Sequence, residues 1–153
     1  MQTEIRPKDS DRVGIELADY TLPSVSFDYL ERMRLLCEEN GVELILIKAP
    51  TNNWKYYWYD EWDVQIRAYA EQTGLAYYNF IEEEEAIGID WSTDTYDAGA
   101  HLNVYGAEKL TDYFGAILRE KHGISDQRTN AAEAAEWQAL LDRYLAERNA
   151  VKQ

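Results

Sequence analysis

Asp97 and His101 stand four apart in the run Asp97-Ala98-Gly99-Ala100-His101-Leu102-Asn103-Val104-Tyr105-Gly106. These types and this spacing suit a base and its orienter. A carboxylate that accepts a hydrogen bond from one imidazole nitrogen fixes the tautomer. The other nitrogen is then free to take a proton from a nucleophile. The small residues Ala98, Gly99 and Ala100 let the intervening loop fold tightly enough for the contact. Asp94 is the alternative orienter. By itself such a pair is also what a structural histidine beside an acid looks like, because a pattern does not prove a site.

A base needs a nucleophile. The nearest match to a serine-nucleophile motif is Lys8-Asp9-Ser10-Asp11. No apolar run precedes it, so no buried strand presents Ser10 on a sharp turn, and Ser10 reads as a solvated loop serine. Asn52 and Asn53 follow the apolar run Leu44–Ile47 and are expected to line a cleft, since parallel sheets bind ligands at the carboxyl ends of their strands. Trp54, Tyr56, Tyr57, Trp58, Tyr59 and Trp62 crowd the next stretch. Trp54 and Trp58 are candidates for stacking on a sugar ring. The alternative is that these rings bury their large apolar area against a helix.

Glu82 to Glu85 reads as a solvated acidic turn rather than a cation site, because calcium needs converging oxygens. Cys37 falls on the apolar side of a helix and is expected to be buried and inert. His122 sits at a helix C-terminus, where a cation offsets the dipole. With one cysteine and two histidines the chain is expected to hold neither a disulfide nor a Cys- or His-rich metal site, and no cofactor is implied.

The net charge of −14 weighs against nucleic acid and anionic membrane surfaces as partners. No run reaches the length of a membrane span, and Met1–Lys8 lacks the apolar core of a signal peptide. A soluble chain without a recognisable address is therefore expected, and its compartment stays open.

The elements that must position the pair follow from periodicity. Residues 1–24 read as an arm, with Val13, Ile15 and Leu17 alternating as a short edge strand. A helix capped by Ser26 runs to Asn40-Gly41. Val42–Ile47 is a strand, apolar without alternation as when both faces are covered. A helix ends at Gly74, Leu75–Phe80 is a second strand, and residues 87–100 form a loop. Asn103 caps a helix that stops at His122-Gly123. A last helix, 130–148, starts from the capping box Asn130…Glu133 and carries Trp137, Leu140, Leu141, Tyr144 and Leu145. Strand, helix, strand is a parallel βαβ unit. Residues 25–123 thus form an α/β domain and 124–153 a C-terminal helix. Two strands make too small a sheet for a doubly wound fold. The missing strands are expected from the arm, from another chain, or, as the favoured reading, from sequence not in this chain.

The stretch Asp97–Gly106, with Ala107-Glu108-Lys109 opening a helix after it, resembles the last sequence block of the SGNH hydrolases, the GDSL-like esterases. Gly41–Pro50 is similar to the late parallel strand before that block. The resemblance covers roughly residues 27–121, the C-terminal half of the family's fold. It implies a partial flavodoxin-like three-layer sandwich with a small, mostly parallel sheet, His101 as general base and Asp97 as orienter. It implies an ester hydrolase or O-acyl transferase acting on a small ester or an acylated glycan. Two departures stand out. The family places two residues between acid and base where this chain has three, and its Gly-Asp-Ser nucleophile and oxyanion donors are not recognisable here. The isolated chain is therefore expected to be incomplete or inactive as an esterase. The reading from another class is a non-catalytic glycan-binding or protein-interaction module. A homo-oligomer is expected in either case, because an apolar strand edge is a template for pairing.

Overall fold

Pro23 starts the first helix. It holds an extended conformation (φ −56°, ψ 132°), and its carbonyl accepts the first helical bond from the Ser26 amide at 2.9 Å. Helix α1 therefore spans Ser24–Glu39, and Ser26 lies inside it rather than capping it. Proline suits the entry because it fixes φ and has no amide to leave unpaired. Asn40-Gly41 ends α1 as the sequence requires: Gly41 turns left-handed at φ 64°, and the Val42 amide folds back onto the Cys37 carbonyl at 2.8 Å. Cys37 is only partly buried, short of the inert core position expected of it.

The computed structural model describes residues 2–7, 17–52 and 58–150. Val13, Ile15, Ser10, Asn53 and Trp54 lie outside the described residues. The chain divides into two compact units, one of Met1–Lys8 with Glu85–Gln153, the other of Asp9–Glu84.

The unit Asp9–Glu84 is built on a βαβ motif. Strand β1 (Ile45–Lys48) and strand β2 (Ala76–Asn79) pair in parallel, Ile45 opposite Ala76 and Lys48 opposite Asn79, joined by helix α2 (Tyr59–Thr73). The fold is mixed α/β, mostly helical, with a two-stranded parallel sheet among the described residues. Helix α1 is tied to α2 by the Tyr69 hydroxyl, which donates to Glu31 at 2.8 Å, and by the Phe27–Tyr69 ring contact at 5.6 Å. Gln65 clamps the approach to α1, accepting from the Leu22 amide and donating to the Tyr20 carbonyl, each at 2.9 Å.

A polar cluster lies at the carboxyl end of the sheet. Asp63 is buried and accepts from Tyr77 at 2.5 Å, Arg67 at 2.6 Å and Asn79 at 3.0 Å. Arg67 also reaches Glu82 at 2.6 Å, so the acidic run is in part an ion-pair partner rather than a bare solvated turn. Helix α3 (Glu84–Ile87) takes up Glu84 and Glu85.

In the other unit, helix α4 (Val104–Lys121) follows the Asp97–His101 loop, and helix α5 (Ala131–Ala150) follows a 3-10 turn at Gln127–Thr129. Tyr144 and Arg148 of α5 both donate to Glu108 of α4, at 2.8 and 2.6 Å. The apolar stripe of α5 is left largely exposed, with Trp137 at 69%. Among the described residues no helix is long and apolar enough to cross a membrane.

Candidate functional site

The loop that carries His101 is held from three sides. At its base, Thr95 and Leu102 form an antiparallel bridge. Asn103 stands at the start of α4, 1% exposed, and does two jobs. Its side-chain oxygen accepts from the Tyr105 and Gly106 amides at 3.0 and 3.2 Å, capping the helix as expected. Its amide nitrogen donates to the Thr93 carbonyl at 2.8 Å and the Glu4 carbonyl at 3.1 Å. Gly106 then permits close packing. A Cβ there would lie 2.7 Å from the Asp94 carbonyl oxygen. The N-terminal segment supplies the third restraint. The Arg6 amide donates to the Thr95 carbonyl and the Ala98 amide to the Arg6 carbonyl, both at 2.9 Å.

Within this frame the loop turns sharply. Ala98 is left-handed at φ 63°, and Gly99 follows at φ 93°. A left-handed alanine costs about 1–2 kcal/mol, and the restraints on either side hold it there. The turn carries His101 back over Asp97. The Asp97 carboxylate accepts from the His101 backbone amide at 2.7 Å and bonds ring Nδ1 at 2.6 Å. A carboxylate only accepts, so in the neutral imidazole the contact places the ring proton on Nδ1 and leaves Nε2 with its lone pair. Among the described residues Nε2 makes no hydrogen bond, and the His101 side chain is 71% exposed. Burial works against the Asp97 charge, yet the bonds from the His101 ring and backbone outweigh it and hold the carboxyl below its ordinary range.

Asp94 is not the orienter. It is 2% exposed and accepts from Lys109 at 2.6 Å, from the Asp90 amide at 2.8 Å and from the Thr93 hydroxyl at 3.2 Å. A buried carboxylate needs this many donors, and its partners fix it as a brace between the loop and α4.

Of the residues expected to bind substrate, Asn52 and Trp58 belong to the unit Asp9–Glu84, whereas Asp97 and His101 belong to the other. Trp58 precedes α2 and contacts Trp62 at 5.6 Å between ring centres. Asn53 and Trp54, like Ser10, lie outside the described residues. Among the described residues no three His, Cys, Asp or Glu side chains converge as metal ligands.

Three contributors escape a reading of the sequence. Thr95 Oγ1 accepts from the Gly99 amide at 2.9 Å and donates to Asp97 at 3.4 Å, folding the turn beneath the carboxylate. A threonine two residues before an aspartate is a turn signal that could have flagged it. Tyr96 stacks on the His101 ring, 6.0 Å between centres and 15° from parallel. The backbone of Gln2–Arg6 bonds the loop through atoms common to every residue, so no side-chain pattern marks it.

No protein-family model, curated protein or solved structure matches the chain.

Proposed function

We propose that the Asp97–His101 loop is the base-bearing part of a Ser-His-Asp acyl-transfer site of SGNH type. The chain would act as an ester hydrolase or O-acyl transferase on acylated carbohydrate. The observation that carries this reading is the 2.6 Å bond between Asp97 and Nδ1 of an exposed imidazole whose Nε2 is open. In this reading the parallel β1–α2–β2 unit is part of a flavodoxin-like three-layer sandwich.

The chemistry follows from the tautomer. Nε2 takes the proton of a serine hydroxyl as its oxygen attacks the ester carbonyl. The imidazolium that forms is stabilised by Asp97 and returns the proton to the leaving alcohol. A water, or a sugar hydroxyl in a transferase, then attacks the acyl-serine with Nε2 again as base. The serine is supplied by other sequence or by another chain. Tyr96, stacked on the ring, limits its rotation.

The test is intact-mass spectrometry of the full chain after treatment with a fluorophosphonate, with His101→Ala as control. This reagent labels a serine that a base has activated. The expected result for a site complete within the chain is one adduct on the wild type that is lost in the variant. An adduct that survives His101→Ala rules out His101 as the base. No adduct on the chain, alone or in its oligomer, leaves a half-site whose serine lies elsewhere, or the glycan-binding or interaction module.

A further inference from the structure

A groove of about 500 Å³ runs along β1 within the unit Asp9–Glu84. Residues Leu44–Lys48 line it, together with Leu30 and Met33 of α1 and Trp62 and Ile66 of α2. Ile47 is 51% exposed, although Leu44–Ile47 has the uninterrupted apolar character of a strand covered on both faces.

The backbone says which kind of molecule fits. Among the described residues β1 pairs with β2 alone. The Lys48 carbonyl accepts from the Phe80 amide at 2.9 Å, on the β2 side. Backbone polar groups alternate sides along a strand, so the N–H and C=O groups of Ile45 and Ile47 face the other edge. An acyl chain lying in the groove would leave them without partners. An extended peptide would pair them.

Lys48 adds a charge at one end. Its Nζ lies 4.2 Å from the centre of the Tyr59 ring. Among the described residues no carboxylate comes within salt-bridge distance of it; Asp63 and Glu82 act on its charge from farther off, and both are bonded to Arg67. The ammonium therefore sits beside an apolar groove, at the carboxyl end of β1, with an aromatic face for company. A carboxylate is its complement. A second copy of the chain is a poorer occupant, because each copy brings a net charge of −14.

We propose that this groove takes an extended apolar peptide, which adds to β1 as a parallel strand with its C-terminal carboxylate against Lys48. The groove lies in the unit Asp9–Glu84, whereas Asp97 and His101 lie in the other.

The test uses the full chain, labelled with nitrogen-15, and acetyl-Ser-Thr-Val-Ile-Val as probe. The free acid is compared with its C-terminal amide and with two free acids N-methylated at alternate residues, one in each parity. Saturable shifts of the Ile45 and Ile47 amides are expected with the free acid. The amide is expected to bind about tenfold weaker, as befits a lost charge-assisted contact. One N-methylation pattern should abolish binding and the other should leave it nearly intact, because only alternate amides face β1. Lys48→Met should bring the free acid down to the level of the amide. Equal binding of both N-methylated peptides would overturn strand addition, as would the absence of any saturable shift. A dimer in sedimentation equilibrium that Ile47→Lys disperses would assign the edge to a second copy instead.

Discussion

At the scale of single residues, the decisive arrangement is a carboxylate holding one imidazole nitrogen so that the other is left to act. Asp97→Asn keeps the shape but lets an amide donate as well as accept, so the proton on Nδ1 is no longer enforced. In nitrogen-15 spectra of the imidazole, the D97N variant is expected to populate the Nε2–H tautomer. Any labelling by fluorophosphonate should slow by about 10²- to 10⁴-fold. A variant that keeps both the tautomer and the labelling rate would remove Asp97 from the orienting role.

The same contact predicts a pH dependence. The Asp97 carboxyl is held below its ordinary range despite partial burial, because the His101 ring and amide donate to it. Its folded pKa is therefore lower than its unfolded one. The stability it contributes is complete above about pH 4, the unfolded carboxylate range, and is lost as pH falls through the lower folded value. Carbon-13 titration of the side-chain carboxyl should show a low midpoint in the wild type and a higher one in His101→Ala. An unchanged midpoint would mean that the backbone amide alone sets it. The acid-base spacing was legible in the sequence, and so were the small residues between them. The choice between Asp97 and Asp94 was not, because both precede the histidine closely. It was decided by burial, since Asp94 turns inward to Lys109 and only Asp97 stays beside the ring.

At the scale of elements, the loop is positioned by helix α4 and its cap. Asn103 satisfies two amides of α4 with one end and carbonyls of the loop and the N-terminal segment with the other. Asn103→Ala removes the cap and strands buried carbonyls, and is expected to cost roughly 2–4 kcal/mol in urea unfolding. A loss below about 0.5 kcal/mol, the low end for an N-cap alone, would show that the buried network carries no weight. Helix boundaries were legible where a residue does one local thing: Asn40-Gly41 stops α1, and Asn103 starts α4. The start of α1 was not. Ser26 looks like a cap, but Pro23 occupies that position, since it has no N–H that needs an acceptor. The arrangement of Asp63, Arg67, Tyr77 and Asn79 was equally hidden. Its members sit on α2 and β2, and only the parallel pairing of β1 with β2 brings the helix over that end of the sheet.

At the scale of the whole molecule, charge is the dominant fact. Lys+Arg is 15 against 29 Asp+Glu, so folding packs a net −14 into one chain. Self-repulsion opposes the compact state and is screened by salt. Raising NaCl from about 20 to about 200 mM shortens the Debye length from roughly 20 Å to below 10 Å, and the thermal midpoint is expected to rise by a few degrees. A midpoint that falls with salt would show that the ion pairs, such as Arg67 with Asp63 and Glu82, outweigh the general repulsion.

What the sequence determined by itself is local. It set the two short strands, the helices between and after them, the stop signals, and a histidine next to an acid on a loop before a helix. These depend on contacts a few residues apart, which periodicity and turn chemistry report directly. Only the tertiary structure decided the rest. It bound Gln2–Arg6 to a loop about ninety positions away through backbone bonds that carry no sequence signature. It buried Asp94 and left His101 open, and among the described residues it turned one edge of an apolar strand toward a groove rather than another strand. Each of these outcomes is set by which surfaces meet across long stretches of chain, and a backbone amide or a carboxylate looks the same in sequence whichever way it faces.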